Sequence, residues 1–138
     1  MSTTTTLDRV SATTSLEAPF EALRGHGFMQ LTTFRKSGDA VATVVWFAED
    51  GGRLYITTAS NSGKVKRLRH TPRARVAPRS PWGAISGPEV DAVARILPPE
   101  QHAHAVAALR RKYGWVFWIF ERCNRAEQTY LEVSPSPR

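Results

Sequence analysis

Hydrophobic and polar residues alternate along three neighbouring stretches of this chain, and the alternation predicts β-strands. The stretches are 28–35, 40–48 and 53–58, and each is rich in β-branched or aromatic residues. Residues 36–39 and 50–52 between them carry Gly and Asp, which are typical of tight hairpin turns. Strands that follow one another at such short spacing favour an antiparallel meander.

The rest of the chain adds shorter elements. Further strands are predicted at 74–78, 89–97 and 129–133, and helices at 16–24, between Ser62 and Pro72, and at 100–113. These elements predict a mainly β fold with a few helices, an antiparallel barrel of six or so strands, because a closed sheet leaves no exposed edge. Residues 1–14 are rich in Thr and Ser and lack periodicity, so they predict a disordered N-terminal arm before a single domain over 15–134.

Composition excludes several classes of protein. The chain of 138 residues is 41% hydrophobic and 22% charged, as in ordinary globular proteins, and its longest apolar run, 115–120, is too short to span a membrane. The N-terminus lacks the apolar segment of a secretory signal. One cysteine, Cys123, excludes an internal disulfide and a thiolate-rich metal site. We therefore expect a cytoplasmic protein with no membrane partner and no bound metal.

The net charge of +7 comes from one segment. Residues 62–80 carry seven basic side chains and no acidic one, whereas the rest of the chain is neutral, with twelve of each sign. Such a concentration of positive charge predicts an anionic partner. Nucleic acid, a phosphorylated cofactor and an acidic protein remain open at this point.

The start of this basic segment predicts a phosphate site. The first N–H groups of a helix have no intrahelical acceptor and lie at the positive end of its dipole. Lys64 and Arg67 are three residues apart, so they share a helical face and can converge on one anion. Four neighbours are expected to help bind the anion: Ser62 as the N-cap, Gly63 by letting the anion approach the backbone closely, and Thr57 and Thr58 through their hydroxyls. The alternative interpretation is a solvated basic helix.

Other candidates are weaker. His102 and His104 are two apart on a predicted helix, so they point in different directions and cannot chelate one metal. The aromatic run 115–120 favours packing against the barrel or a dimer partner over a separate interaction patch. No Ser/His/Asp set, carboxylate pair or GxGxxG motif is present, so the catalytic residues stay unknown and any catalysis would come from a bound cofactor.

Six short motifs follow one another between Phe28 and Gly114: LTTFRKSG at 31–38, VATVVWF at 41–47, LYITT at 54–58, SGKVKRLR at 62–69, GPEV at 87–90 and KYG at 112–114. Their order and spacing resemble the deazaflavin (coenzyme F420)-dependent branch of the pyridoxamine 5′-phosphate oxidase-like superfamily, which shares the FMN-binding split barrel. The resemblance covers about two-thirds of the chain.

This resemblance implies an antiparallel split β-barrel that forms a homodimer with the cofactor at the subunit interface. It implies that Lys64 binds the cofactor phosphate, helped by Thr57, Thr58 and Ser62, and that Thr43, Val44 and Val45 flank the ring system. In relatives the loop corresponding to 78–83 lies near the cofactor. There this chain departs from the pattern, with Arg79 in place of the usual cysteine and Trp82 in place of the usual arginine.

The leading hypothesis is an F420-dependent oxidoreductase that transfers hydride to an organic substrate. The alternatives are an FMN-binding oxidoreductase of the same fold and a non-catalytic carrier of F420 or flavin. Nucleic acid is disfavoured as a partner. Proteins that bind single strands have aromatic side chains interleaved with their basic residues, and Trp82 is the only aromatic residue near this basic segment.

Overall fold

The structure is a computed structural model that describes residues 18–80, 85–124 and 126–136. The predicted N-terminal arm, 1–14, and Trp82 lie outside these residues. The side chains of the first two described residues, Ala18 and Pro19, are not described either.

The described chain is mostly antiparallel β-structure, which confirms the predicted fold class. Its seven strands are β1 Phe28–Phe34, β2 Ala40–Trp46, β3 Ala48–Asp50, β4 Arg53–Ala59, β5 Arg73–Pro78, β6 Val90–Ile96 and β7 Gln128–Pro135. Its three α-helices are α1 Gly63–His70, α2 His102–Tyr113 and α3 Trp115–Cys123, and short 3₁₀ helices cover Ala18–Leu23 and Pro99–Gln101.

The strands form one sheet in the order β2-β1-β5-β6-β7-β4-β3, curled into a half-barrel. The predicted meander through the first three stretches is wrong, because the stretch 40–48 is two strands. β2 pairs with β1, whereas β3 pairs with β4 on the far side of the sheet. No strand pairing joins β2 to β4 within 18–80, so the predicted closed barrel is open there and β2 keeps a free edge.

A bend at Phe47 separates β2 from β3, and Tyr113 holds it. The Phe47 N–H donates to the Tyr113 hydroxyl at 3.0 Å, and that hydroxyl lies 2.7 Å from the Phe47 carbonyl and 2.6 Å from the Gly27 carbonyl. Burial raises the pKa of Tyr113 to about 12, although the bond to Phe47 opposes the shift, so the hydroxyl keeps its proton. The KYG motif at 112–114 therefore has a structural role in part, because its tyrosine fixes the backbone between β2 and β3.

Side chains of the sheet interior form the main core. The largest of those that are fully buried include Met29, Leu31, Leu54, Ile56 and Leu131. A second cluster lies where α2 and α3 cover the sheet and includes Tyr55, Leu109 and Phe117. Burial of these apolar side chains supplies the main driving force for folding.

Helix α3 is the one helix that the sequence did not predict. The aromatic run was expected to pack against the barrel or a dimer partner, and within one chain its packing is partial. Phe117 is fully buried, but Trp115 is 72% exposed and Trp118 is 52% exposed. Gly114 ends α2 with a positive φ of 58°, as predicted for a C-terminal glycine, and α3 begins at the next residue.

A carboxylate network covers the outer face of β4, β7 and β6. Glu132 is only 8% exposed and accepts hydrogen bonds from the Tyr55 hydroxyl at 3.0 Å and from Arg95 Nη2 at 3.0 Å. Arg53 Nη1 approaches the same carboxylate at 3.4 Å. This network connects three neighbouring strands through one buried charge.

Candidate functional site

Helix α1 begins directly after β4, as predicted, and Val65 and Leu68 anchor its buried face. Ser62 stands at the N-cap position with extended backbone, but its hydroxyl makes no capping bond. It lies instead 3.4 Å from the Thr58 hydroxyl. The side chain of Ser62 therefore leaves the first amides of α1 without the capping partner that the sequence predicted.

Lys64 lies over this helix start. Its Nζ donates to Thr58 Oγ1 at 3.0 Å, and the side chain is partly buried. Burial lowers the pKa of Lys64, and the nearby charge of Arg67 lowers it further. The predicted grouping of Lys64, Thr58 and Ser62 is thus present in the structure.

Arg67 approaches the same place from the next turn of α1. Its Nε donates to Thr33 Oγ1 on β1 at 2.6 Å. A Cβ atom built on Gly63 would lie 2.8 Å from Arg67 Nη1, so the guanidinium lies across the helix start. Burial lowers the pKa of Arg67, and the charge of Arg35 adds to the effect.

The result is a cluster of three like charges, which we call the cation cluster: Lys64, Arg67 and Arg35. In the described ranges neither Lys64 nor Arg67 pairs with a carboxylate, and no acidic group contributes to either pKa. Partly buried cations that repel each other raise the free energy of the empty site. A bound anion relieves that cost.

Thr57 does not join the cluster. Successive side chains of a strand point to opposite faces, so Thr57 and Thr58 diverge. Thr57 Oγ1 donates instead to Gln128 Oε1 on β7 at 3.1 Å. The structure therefore does not bring Thr57 together with Thr58 and Lys64, and its role at a phosphate stays a prediction.

The three β2 candidates also divide between faces. Val45 is buried in the core at 6% exposure, and Thr43 Oγ1 donates to the Leu31 carbonyl at 3.3 Å on the same side. Val44 points outward and is 39% exposed. Because β2 is the last strand of the sheet among the described residues, alternate backbone N–H and C=O groups of β2 point away from β1.

The basic segment is not one continuous patch. Arg75 pairs with Glu89 at 3.6 Å and with Asp91 at 3.1 Å, two acids that β6 and the loop before it bring alongside. Arg73 lies over the Phe34 ring, 4.1 Å from its centroid. Arg79 Nη1 donates to Gln30 Oε1 at 2.7 Å. Since Glu89 and Asp91 balance the charge of Arg75, the net positive charge around the segment is smaller than its sequence suggested.

Two members of the site were missed by the sequence. Thr33 and Arg35 come from β1 and the turn after it, more than 25 residues before α1. Both lie within the LTTFRKSG motif, but nothing in its spacing connects it to a helix so far along the chain. Only the pairing of β1 with its neighbours brings them to α1.

The remaining candidates have other partners. His104 Nε2 lies 2.8 Å from Asp50, whereas His102 Nε2 lies 3.0 Å from the Leu97 carbonyl, so the two histidines diverge as predicted. Cys123 is exposed. None of the helices in the described part of the chain has the length and apolarity needed to cross a bilayer.

Two cavities lie away from the cation cluster. One of about 750 Å³ lies along β5 and β6, and one of about 290 Å³ lies between α2 and the bend at Phe47. Neither is lined by Lys64 or Arg67. The cation cluster therefore lies outside both of these cavities.

Known proteins share this fold at low sequence identity. The heme storage protein HutZ from Vibrio cholerae is similar with a TM-score of 0.67 and 13% identity, over 89% of this chain and 92% of that one. A heme binding protein from Mycobacterium smegmatis has a TM-score of 0.63 and 20% identity, over 88% of this chain and 51% of that one. An F420 reductase has a TM-score of 0.59 and 20% identity, over 85% of this chain and 92% of that one. No curated protein sequence matches the chain.

The family assignment comes from the sequence as a whole. The model of the family described as pyridoxamine 5′-phosphate oxidase matches residues 16–136. That range includes all seven strands of the half-barrel and the whole cation cluster. This chain belongs to the pyridoxamine 5′-phosphate oxidase family.

Proposed function

We propose that this protein is an oxidoreductase that binds coenzyme F420, with the cofactor phosphate at the start of α1. The observation that carries the proposal is the pair Lys64 and Arg67, two partly buried cations that meet no carboxylate in the described chain. A site of this kind favours an anion that several donors can share.

The residues present fit a phosphate group. Two cationic side chains, two hydroxyls and the uncapped start of α1 are the donor set that binds phosphate in proteins. The free edge of β2 supplies backbone donors and acceptors suited to the rim of a planar heterocycle. Since Val45 is buried and Thr43 bonds to its own sheet, the backbone of β2 would make these contacts rather than its side chains.

F420 is the first choice because it carries several negative charges. Besides Lys64 and Arg67, Arg35 lies within electrostatic reach, and Lys66 and Arg69 are exposed on α1. An F420 reductase also has this fold. FMN carries one phosphate and would leave much of this charge unused, so an FMN-binding oxidoreductase is the alternative, and a non-catalytic carrier of F420 or flavin is another.

The side chains of the cation cluster are suited to binding and orienting the cofactor. They do not suggest acid–base chemistry. Reduced F420, when bound, would supply hydride to an organic acceptor. Lys64 and Arg67 would hold the anionic end of the cofactor, and the β2 edge would orient its ring. Two proteins of this fold bind or store heme by their names, so heme is included in the test below.

The experiment that tests this proposal is a titration with F420 and with FMN, followed by Trp fluorescence. We expect F420 to bind more tightly than FMN, reduced nicotinamides to bind weakly or not at all, and affinity to fall as salt rises, because salt screens exposed charges. Heme is added in a parallel titration and followed by its absorbance. Equal or tighter FMN binding would favour the alternative. Sub-micromolar DNA binding without cofactor affinity would overturn the proposal.

We further propose that the protein is a homodimer with the cofactor at the subunit interface. The cation cluster is not enclosed by either cavity, and four apolar side chains of α3 are exposed: Trp115, Val116, Trp118 and Ile119. An exposed apolar surface of this kind is typical of an interface. A second copy would cover the surface and enclose the cofactor.

Light scattering at micromolar concentration is expected to give twice the chain mass of 15.4 kDa. Trp118→Ser should weaken the dimer about tenfold or more, because buried tryptophans often dominate interface energies. Ile85→Ser is the control, since Ile85 is also exposed but lies outside α3. A monomer at this concentration, or equal effects of the two variants, would argue against the shared site through α3.

A further inference from the structure

The guanidinium of Arg67 is held by the sheet rather than by its own helix. Its Nε donates to Thr33 Oγ1 at 2.6 Å, and Thr33 is only 1% exposed. Thr33 pairs with Val41 on β2 and with Ala74 on β5, so neighbouring strands fix it from both sides. The acceptor of this bond therefore occupies a rigid position in the fold.

This bond determines which edge of the guanidinium is left for a ligand. The group carries five N–H donors in one plane, on Nε, Nη1 and Nη2. Thr33 engages Nε, and among residues 18–80, 85–124 and 126–136 no acceptor engages either Nη atom of Arg67. The two Nη atoms form a fork whose spacing matches two oxygens of one phosphate group.

Gly63 leaves room for the guanidinium over the helix start. It lies four residues before Arg67, so the two residues share a face of α1. A Cβ atom built on Gly63 would lie 2.8 Å from Nη1 and 3.6 Å from Cζ of Arg67. The φ angle of Gly63 is not in the left-handed region, so the backbone itself would accept alanine. What glycine provides here is therefore space for Arg67.

We propose that Thr33 and Gly63 are positioning residues that hold Arg67 across the start of α1, so that its two Nη atoms bind two oxygens of one phosphate group. The identity of the ligand rests on the proposed function, whereas the orientation of Arg67 follows from the protein's own contacts. An oriented arginine loses less side-chain freedom on binding than one that must first be ordered. Arg67 then fixes the orientation of the phosphate, while Lys64 contributes mainly charge because an ammonium has no such fork.

Thr33→Val tests the bond from the sheet, because valine has nearly the shape of threonine but no acceptor. We expect F420 binding, followed by Trp fluorescence, to weaken by about 3- to 10-fold, which is the cost of ordering one arginine on binding. Thr33→Ser keeps a hydroxyl and should recover most of the affinity.

Thr32→Val is the matched control for this substitution. Thr32 is also buried on β1, but it faces the other side of the sheet, where its hydroxyl donates to Glu89 at 3.4 Å. Its replacement should change the affinity for F420 by less than about twofold. An equal loss from Thr32→Val and Thr33→Val would mean that strand β1, rather than the bond to Arg67, supports binding, and would overturn the proposal.

Gly63→Ala separates positioning from a merely structural role. The added methyl group must displace Arg67 Nη1, so F420 binding should weaken by a similar factor of about 3 to 10. Alanine favours a helix over glycine, so the melting temperature should stay the same or rise. A residue that acts only through stability would not lower the affinity while the fold becomes more stable.

A double-mutant cycle with Arg67→Ala shows whether both effects pass through Arg67. In that background Thr33→Val and Gly63→Ala should each change the affinity by less than about twofold. Losses that persist without the Arg67 side chain, or no loss from either variant in the wild-type background, would overturn the proposal.

Inorganic pyrophosphate, titrated by calorimetry, makes the outcome independent of the cofactor. We expect the same variants to weaken pyrophosphate binding in the same order and by similar factors, with Thr32→Val again unchanged. If this order holds while F420 and FMN do not bind, the cofactor assignment fails and the positioning of Arg67 stands. Equal pyrophosphate affinities in wild type, Thr33→Val and Gly63→Ala, or a wild type that binds none of the three ligands, would overturn the positioning itself.

Discussion

Replacement of Lys64 by alanine is expected to weaken F420 binding by about 10- to 150-fold. A hydrogen bond to a charged group contributes about 1.5–3 kcal/mol, and each 1.4 kcal/mol is about a factor of ten in the dissociation constant. The fold should survive. Because Lys64 is a partly buried cation whose pKa is lowered by burial and by Arg67, its removal relieves repulsion and should leave the melting temperature unchanged or slightly raised.

Lys66→Ala is the matched control. Lys66 is exposed on the same helix and projects about 200° around the axis from Lys64, so its loss should cost several-fold less affinity. Both dissociation constants are measured by Trp fluorescence at one salt concentration, with melting temperatures alongside. Equal losses would mean that a diffuse positive field binds the cofactor and that the pocket at Lys64 and Thr58 is misplaced.

Most of the sheet could be predicted from the sequence because its strands have strong local signals. β1, β4, β5, β6 and β7 begin and end within two residues of their predicted bounds. The exception is the stretch 40–48, in which the alternation continues through Phe47. Its bend depends on the Tyr113 hydroxyl, 66 residues further on, and no local pattern reports a contact of that range.

Helix α3 shows a different limit. An apolar run of six residues is too short to distinguish helix from strand by periodicity, and Gly114 looks like the end of one helix rather than the junction of two. The exposure of Trp115 and Trp118 on one chain also contradicts the rule that large apolar side chains are buried. A partner surface that covers these two side chains would remove the contradiction. A sequence pattern does not reveal such a partner.

The site was predicted where it depended on one helix and missed where it depended on the sheet. Lys64, Arg67, Ser62 and Thr58 follow from the spacing of a strand and a helix, and the structure brings them together. Thr57 was grouped with them, but strand alternation turns it to Gln128. Thr33, far away in sequence, reaches Arg67 through the contact between β1 and α1.

The carboxylate network on the outer face gives the largest expected effect on stability. Replacing Glu132 by glutamine should lower the free energy of unfolding at pH 7 by about 1–3 kcal/mol, because the charge-assisted bonds from Arg95 and Tyr55 lose their anion. About 4 °C of melting temperature corresponds to each kcal/mol in a chain of this size. Burial raises the pKa of Tyr55 to about 12, with the bond to Glu132 adding to the shift, so its hydroxyl remains a donor throughout.

The pH dependence of this effect identifies the charge as its cause. Burial alone would raise the pKa of Glu132, but the hydrogen bonds from Arg95 and Tyr55 and the charges of Arg95 and Arg53 lower it below its ordinary value. A carboxylate whose pKa is lower in the folded state stabilises the fold above its unfolded pKa of about 4.3, and loses that effect as pH falls through the folded value. The difference in the free energy of unfolding between wild type and Glu132→Gln, measured by urea unfolding, should therefore be constant from about pH 6 to 8 and shrink below about pH 4.

Glu127→Gln is the control, because Glu127 is an exposed carboxylate bonded to Ser60. It should change the free energy of unfolding by less than about 0.5 kcal/mol at any of these pH values. A difference for Glu132→Gln that persists unchanged into acid would mean that side-chain packing, rather than the buried charge, links β4, β7 and β6.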